Sequence, residues 1–165
     1  MTIETLHDVY IDQLQDIYSA NRQSLDATSK LAELATDDLL KEALQRGVSG
    51  IKTGTETVEK IIITRGAEPT GEFCKGMEGL VKEVHAHVIE TDFSDKDVRD
   101  AMIITQYQRM VHYALAAYGC VVAFAKRLDL SDEAERLQKC LDDTYSGDKK
   151  VSVIAEGRVN ASAGP

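Results

Sequence analysis

Tyr10, Leu14, Ile17, Asn21, Leu25, Thr28, Leu31 and Ala35 recur in alternating steps of three and four, the repeat of one face of an α-helix. A single stripe sustained over about 30 residues is long for a helix of a globular domain and typical of a helical bundle. Little interrupts such helices, because the only prolines are Pro69 and Pro165. Thr5 and Asp8 have capping-box spacing and start the first helix. Thr36 with Asp37 and Asp38 supplies a cap and an acidic first turn for a second, whose inward stripe is Leu40, Leu44, Gly47, Ile51, Gly54, Val58 and Ile61. Gly66, followed by Pro69, stops it. Residues 67–75 read as loop, and a shorter helix covers Lys75 to Glu90. Ser94 and Asp97 form a second capping-box pair before a long helix that reaches Leu128. Ser131, Asp132 and Glu133 open the last helix, with Leu137, Leu141, Thr144, Asp148, Val151 and Ala155 inward. No strand pattern emerges. The expectation is an all-α, ferritin-like antiparallel four-helix bundle whose crossover carries a fifth, shorter helix. Residues 1–157 form its single domain, and 158–165 a flexible C-terminal tail.

The charge balance narrows the partners. A formal charge of -9 repels phosphate backbones, so nucleic acid is not expected. Cys74, Cys120 and Cys140 lack CxxC or Cys/His ligand spacing, which argues against a disulfide framework or structural zinc. Free thiols and an N-terminus without a signal-peptide pattern point to the cytoplasm. The most apolar run, Met110 to Ala125, is shorter than the ~20 residues of a membrane span and contains His112. It reads as a core helix with little polar face, burying more than one side, with His112 a satisfied core histidine. No membrane partner is expected.

Chemistry-bearing clusters are sparse. His85 and His87 lie about 200° apart around a helix and cannot share an ion. Glu83, His87 and Glu90 fall on one face, where a weak zinc site competes with plain solvated surface. No nucleophile–base constellation or phosphate loop can be placed, so no catalytic residue is assigned. Asn21 sits on an apolar stripe and needs a hydrogen-bond partner if buried. Gly47, Gly50 and Gly54 weaken the second helix, each by ~1 kcal/mol relative to Ala. Close packing against Tyr107, Met110 and Tyr118 would account for them; a cavity for a small ligand is the alternative.

The segments DVYIDQLQDIYSANRQ, CKGMEGLVKE and DVRDAMIITQYQRMVHYALAAYG resemble the bacterial YciE/YciF family, a ferritin-like, stress-associated family without a settled activity. The resemblance runs from about Thr5 to Val153 and implies a helical bundle that pairs into a homodimer. It also implies where a di-iron centre would lie, and there this chain departs. Asn21 replaces a glutamate, Gly47 and Gly50 replace a His and a Glu, and Val111 and Ala114 fall on two acidic positions. Asp142, Asp143 and Thr144 replace three glutamates. His112, Asp142 and Asp143 are the retained candidates for metal. The expected function is a non-enzymatic structural or stress-associated protein acting as a dimer or through a protein partner, with no cofactor. The alternatives are a di-iron oxidase or iron-handling protein, and a small-ligand binder using a pocket near Gly47 and Gly50. Iron enters only with the first alternative.

Overall fold

The computed structural model describes residues 2–164, and among them there is no strand. Four long helices carry the chain: α1 (Leu6–Leu34), α2 (Asp38–Thr64), α4 (Lys96–Arg127) and α5 (Ser131–Ile154). The crossover holds α3 (Lys75–Val84), which runs on into one π-helical turn, His85–Ile89. α1 packs along α2 and α4, and α5 along α4 and α2, so the four form a ring with α1/α5 and α2/α4 as diagonals. α3 lies against α1 and α4.

The local signals explain most boundaries. Thr5 and Asp8 form the reciprocal capping box at the start of α1. Asp37 caps α2 by accepting from the Leu39 and Leu40 N–H groups. Gly66, at φ 75°, closes α2, and the Ala67 N–H donates back to the Ile62 carbonyl at 3.1 Å, a Schellman-type end. α4 ends the same way with Asp129 at φ 58°, a conformation a short polar side chain tolerates.

Two boundaries differ from the sequence reading. α4 is capped by Asp95, not Ser94, because the Asp95 carboxylate reaches the Asp97 and Val98 N–H groups. α5 opens at Ser131, as the sequence reading expects, with Leu130 at its N-cap and no side-chain bond there. The chain after Gly157 is not a loose tail: a π-helical turn over Ala155–Val159 leads into a last short helix, α6 (Asn160–Ser162). Val151, Ala155 and Val159 continue one buried stripe at steps of four, and Arg158 Nε donates to Asp37 Oδ2 at 3.0 Å.

The core is one cluster of aliphatic residues and tyrosines running through all the long helices. No described helix is long and apolar enough to cross a membrane. Burial pushes the phenols of Tyr10, Tyr113 and Tyr118 far above the ordinary tyrosine range and that of Tyr107 up to about 12. The fold therefore favours neutral phenols, whereas unfolded tyrosines ionise near pH 10. The stability these tyrosines give is intact below pH 10 and is lost as pH rises toward 12. An alkaline titration followed by phenolate absorbance should show four of the six tyrosines ionising late, together with loss of helical circular dichroism. Ionisation of all six near pH 10 with the helices intact would contradict the burial argument.

Candidate functional site

Asn21 from α1, Gly47 and Gly50 from α2, Val111 and Ala114 from α4, and Thr144 from α5 all line one cavity. Its volume is about 920 Å³, which lies within the ~300–1,000 Å³ usual for small-molecule sites. Four separate helices thus bring together the positions that the family resemblance singled out. The opening lies between α2 and α5, where α2 presents glycines and α5 presents Cys140, Thr144, Ser146 and Gly147.

The glycines do two different jobs. A Cβ on Gly54 would stand 2.5 Å from Tyr118 Oη, and one on Gly47 would collide with Tyr107 Oη. Both tyrosines lie in close approach to the α2 backbone, as the packing account expects. A Cβ on Gly50 would meet nothing within 4 Å. There the packing account fails, and the space belongs to the cavity.

At the inner wall Asn21 is buried, and its Nδ2 donates to Tyr118 Oη at 3.0 Å. That bond ties α1 to α4 and satisfies the polar residue on the apolar stripe. Thr144 spends its hydroxyl locally, donating to the Cys140 carbonyl at 2.7 Å. Burial raises the pKa of the Cys140 thiol, so Cys140 is no activated nucleophile.

A di-iron carboxylate centre takes a Glu from each of two helices and a Glu-x-x-His pair from each of the others. The converging positions here offer an amide, two hydrogens, an isopropyl group, a methyl group and a spent hydroxyl. Asp143 does line the cavity, but at its mouth, with its side chain 64% exposed and paired to Lys139 at 2.9 Å. Asp142 is exposed, does not line the cavity, and accepts from Gln138 Nε2 at 2.9 Å. His112 is not the core histidine that its apolar neighbours suggest. It is exposed on α4 and lies 3.0 Å from Asp148 Oδ2. The residues present do not fit a di-iron group. On the crossover Glu83 meets His87 at 3.1 Å. The wider π-helical turn rotates less per residue than an α-helix, and Glu90 does not join them. Among the described residues no three His, Cys, Asp or Glu side chains are placed to hold a metal.

Sequence reasoning missed three polar clusters that hold this frame. Glu133 is buried in the first turn of α5, where it accepts from Tyr10 Oη at 2.8 Å and Arg65 Nε at 2.8 Å. Asp100 is fully buried and accepts from the backbone N–H groups of Thr36 and Asp37. The Cys74 thiol caps α3 by accepting from the Met77 N–H at 3.3 Å, and it lies 2.9 Å from Tyr113 Oη. Tyr113 in turn donates to Asp16 at 2.8 Å, which fastens the crossover to α1 and α4. Each cluster joins residues far apart in sequence, so periodicity carries no trace of it.

Known proteins share this fold. Protein YciF of Escherichia coli (strain K12) is 29% identical over 164 residues, covering 99% of this chain and 98% of that one. The crystal structure of the E. coli stress protein YciF superposes with a TM-score of 0.87 at 30% identity, covering 96% of this chain and 99% of that one. YcfI of Rhodopseudomonas palustris, provisionally called a structural protein, gives a TM-score of 0.85 at 30% identity, covering 93% and 96%. Residues 5–164 match the domain of unknown function DUF892, and the chain belongs to that family.

Proposed function

We propose that this chain is a non-enzymatic, stress-associated protein of ferritin-like architecture that acts in the cytoplasm by binding, as a homodimer or through a protein partner. The observation that carries the reading is the donor set: the positions expected to hold iron converge, yet their side chains are not ligands. The names of the relatives, a stress protein and a structural protein, support the role. Ferrous ion and oxygen added to the purified protein should give no ferroxidation above background. Asp143→Ala should leave that background unchanged. Rapid oxidation that disappears in Asp143→Ala would refute the reading.

A homodimer is supported by the outer face of α4. His112, Ala116, Cys120 and Ala123 are exposed there at helical spacing, so no long polar side chain guards the face until Lys126. Small side chains let a second helix approach closely and bury the backbone between them. Light scattering should give twice the chain mass, and Ala116→Glu should return it to one. A cage of twelve or more subunits, or a monomer for the parent protein, would exclude this dimer.

A further inference from the structure

The cavity keeps its charges outside and its interior neutral. Glu42, Arg46, Lys139, Asp143, Lys149 and Lys150 are its charged lining residues, and all six are exposed. Every buried residue of the wall, from Asn21 on α1 to Tyr118 on α4, is uncharged. An ion carried inward would lose its hydration and meet no counter-charge.

Most buried polar groups on that wall are already paired or sealed. Asn21 Nδ2 donates to Tyr118 Oη, and Ser24 Oγ donates to the Asn21 carbonyl at 3.2 Å. Thr28 Oγ1 has no partner, but it also has no accessible surface, so nothing in the cavity reaches it. Tyr107 differs from all of these. It is 5% exposed and its hydroxyl has no hydrogen-bond partner among the described residues, yet that hydroxyl is not sealed as Thr28 Oγ1 is. Its Oη is the atom that crowds Gly47, and Gly47 and Tyr107 both line the cavity. A buried phenol hydroxyl thus opens on the cavity unpaired, where buried hydroxyls are nearly always paired. Around it Ile51, Met110, Val111 and Ala114 give an apolar wall. The way in passes Gly50, which is exposed and has nothing within 4 Å of the position of a Cβ. A cavity of ~150 Å³ suffices for benzene, so about 920 Å³ with an open mouth leaves room for a fused two-ring body.

We propose that the cavity binds an uncharged, apolar, ring-bearing molecule whose one hydroxyl or carbonyl oxygen pairs with Tyr107 Oη. The proposal rests on the reading that this protein acts by binding and names the ligand class for that site. The apolar wall takes the rings, Tyr107 selects for the oxygen, and the neutral interior selects against an ion.

The test uses the full-length protein at neutral pH and calorimetric titration with β-naphthol, naphthalene and β-naphthoate, which share one ring body. Expected is saturable binding of one β-naphthol per chain, with naphthalene weaker by about fivefold, the worth of one net hydrogen bond. β-Naphthoate should bind weaker by roughly tenfold or more, because its charge has no partner inside. Tyr107→Phe removes only the unpaired hydroxyl; it should bring β-naphthol down to the level of naphthalene and leave naphthalene itself unchanged. The double variant Lys149→Ala, Lys150→Ala alters exposed residues alone and should leave β-naphthol binding as it was. Circular dichroism checks that both variants fold. No saturable binding of β-naphthol, or equal binding of β-naphthol and naphthalene by the parent, would overturn the proposal. So would β-naphthoate binding as tightly as β-naphthol and weakening in the lysine variant, which would make the site one for anions at the rim. Binding that emerges only on dilution would make a second copy of the chain the occupant, and that too overturns it. Ferroxidation above background would refute the non-enzymatic reading, whereas absent β-naphthol binding without ferroxidation refutes this inference alone.

Discussion

Asp100→Ala should destabilise the fold by about 2–4 kcal/mol, although Asp100 does not line the cavity. The carboxylate sits in the first turns of α4, fully buried, and reaches across to the corner between α1 and α2. It accepts from the Thr36 N–H at 3.0 Å, the Thr36 hydroxyl at 2.7 Å and the Asp37 N–H at 2.7 Å. Hydrogen bonds to a charged acceptor contribute ~1.5–3 kcal/mol each, and losing them together is less than additive. Thr36 is exposed, so water recovers part of the loss. The rest stands because Asp37 is itself the cap of α2 and the partner of Arg158, so this corner sets the angle between two helices. Asp100→Asn should fall between, since its amide keeps one acceptor oxygen and turns two donors toward donors. Urea unfolding should show lower midpoints with an unchanged slope. Asp100→Ala within ~0.5 kcal/mol of the parent would remove Asp100 from any structural role. DVRDA, among the most recognisable segments of this family resemblance, then owes its character to a helix corner rather than to chemistry.

What could be read from the sequence was local, and what could not be read joins distant parts of the chain. Of the α1 stripe, Tyr10, Leu14, Ile17, Asn21, Thr28, Leu31 and Ala35 are buried as their spacing requires and Leu25 is half-buried, because a helix face is fixed by neighbours three and four residues away. Thr5 with Asp8, and Gly66, also act as their local chemistry dictates. Glu133 looks like an ordinary first-turn charge, and only folding brings Tyr10 and Arg65 to it. His112 misleads in another way. Ala116, Cys120 and Ala123 are small enough to make the whole run from Met110 to Ala125 look like core. Yet with His112 they define one outward face. The helical spacing contained that face, and the scarcity of charged side chains along the run hid it. For Gly157 the opposite holds: a residue read as a stop is carried through by the stripe Val151, Ala155, Val159. At the site, the positions singled out by the resemblance line one cavity, but the resemblance could not say which glycine was packed. That depends on how far Tyr107 and Tyr118 reach across the ring.

Gly54→Leu should lower the melting midpoint by several degrees and Gly50→Leu should raise it, although the two glycines lie one helical turn apart. Both changes remove a helical glycine, which gains ~1 kcal/mol in helix propensity. At Gly54 the new Cβ would stand 2.5 Å from Tyr118 Oη and 3.5 Å from Asn21 Nδ2. Tyr118 is buried and holds the Asn21 amide at 3.0 Å, so it cannot move without leaving Asn21 unpaired. Overpacking costs ~1–3 kcal/mol and an orphaned buried donor a further ~1–3 kcal/mol. With the propensity gain of ~1 kcal/mol subtracted, the net is a loss of about 1–5 kcal/mol. At Gly50 no atom lies within 4 Å, so neither penalty applies and the leucine also covers part of the cavity wall. For a chain of this size ~1 kcal/mol moves the midpoint by roughly 2–4 °C, enough to separate the two variants in one thermal scan. Gly54→Leu tests the tyrosine contact, and Gly50→Leu tests the space. A lowered midpoint for Gly50→Leu would mean that α5 closes over α2 and that no ligand-sized opening exists. A raised midpoint would mean that the space beside Gly50, filled by a side chain in the variant, stands open in the parent.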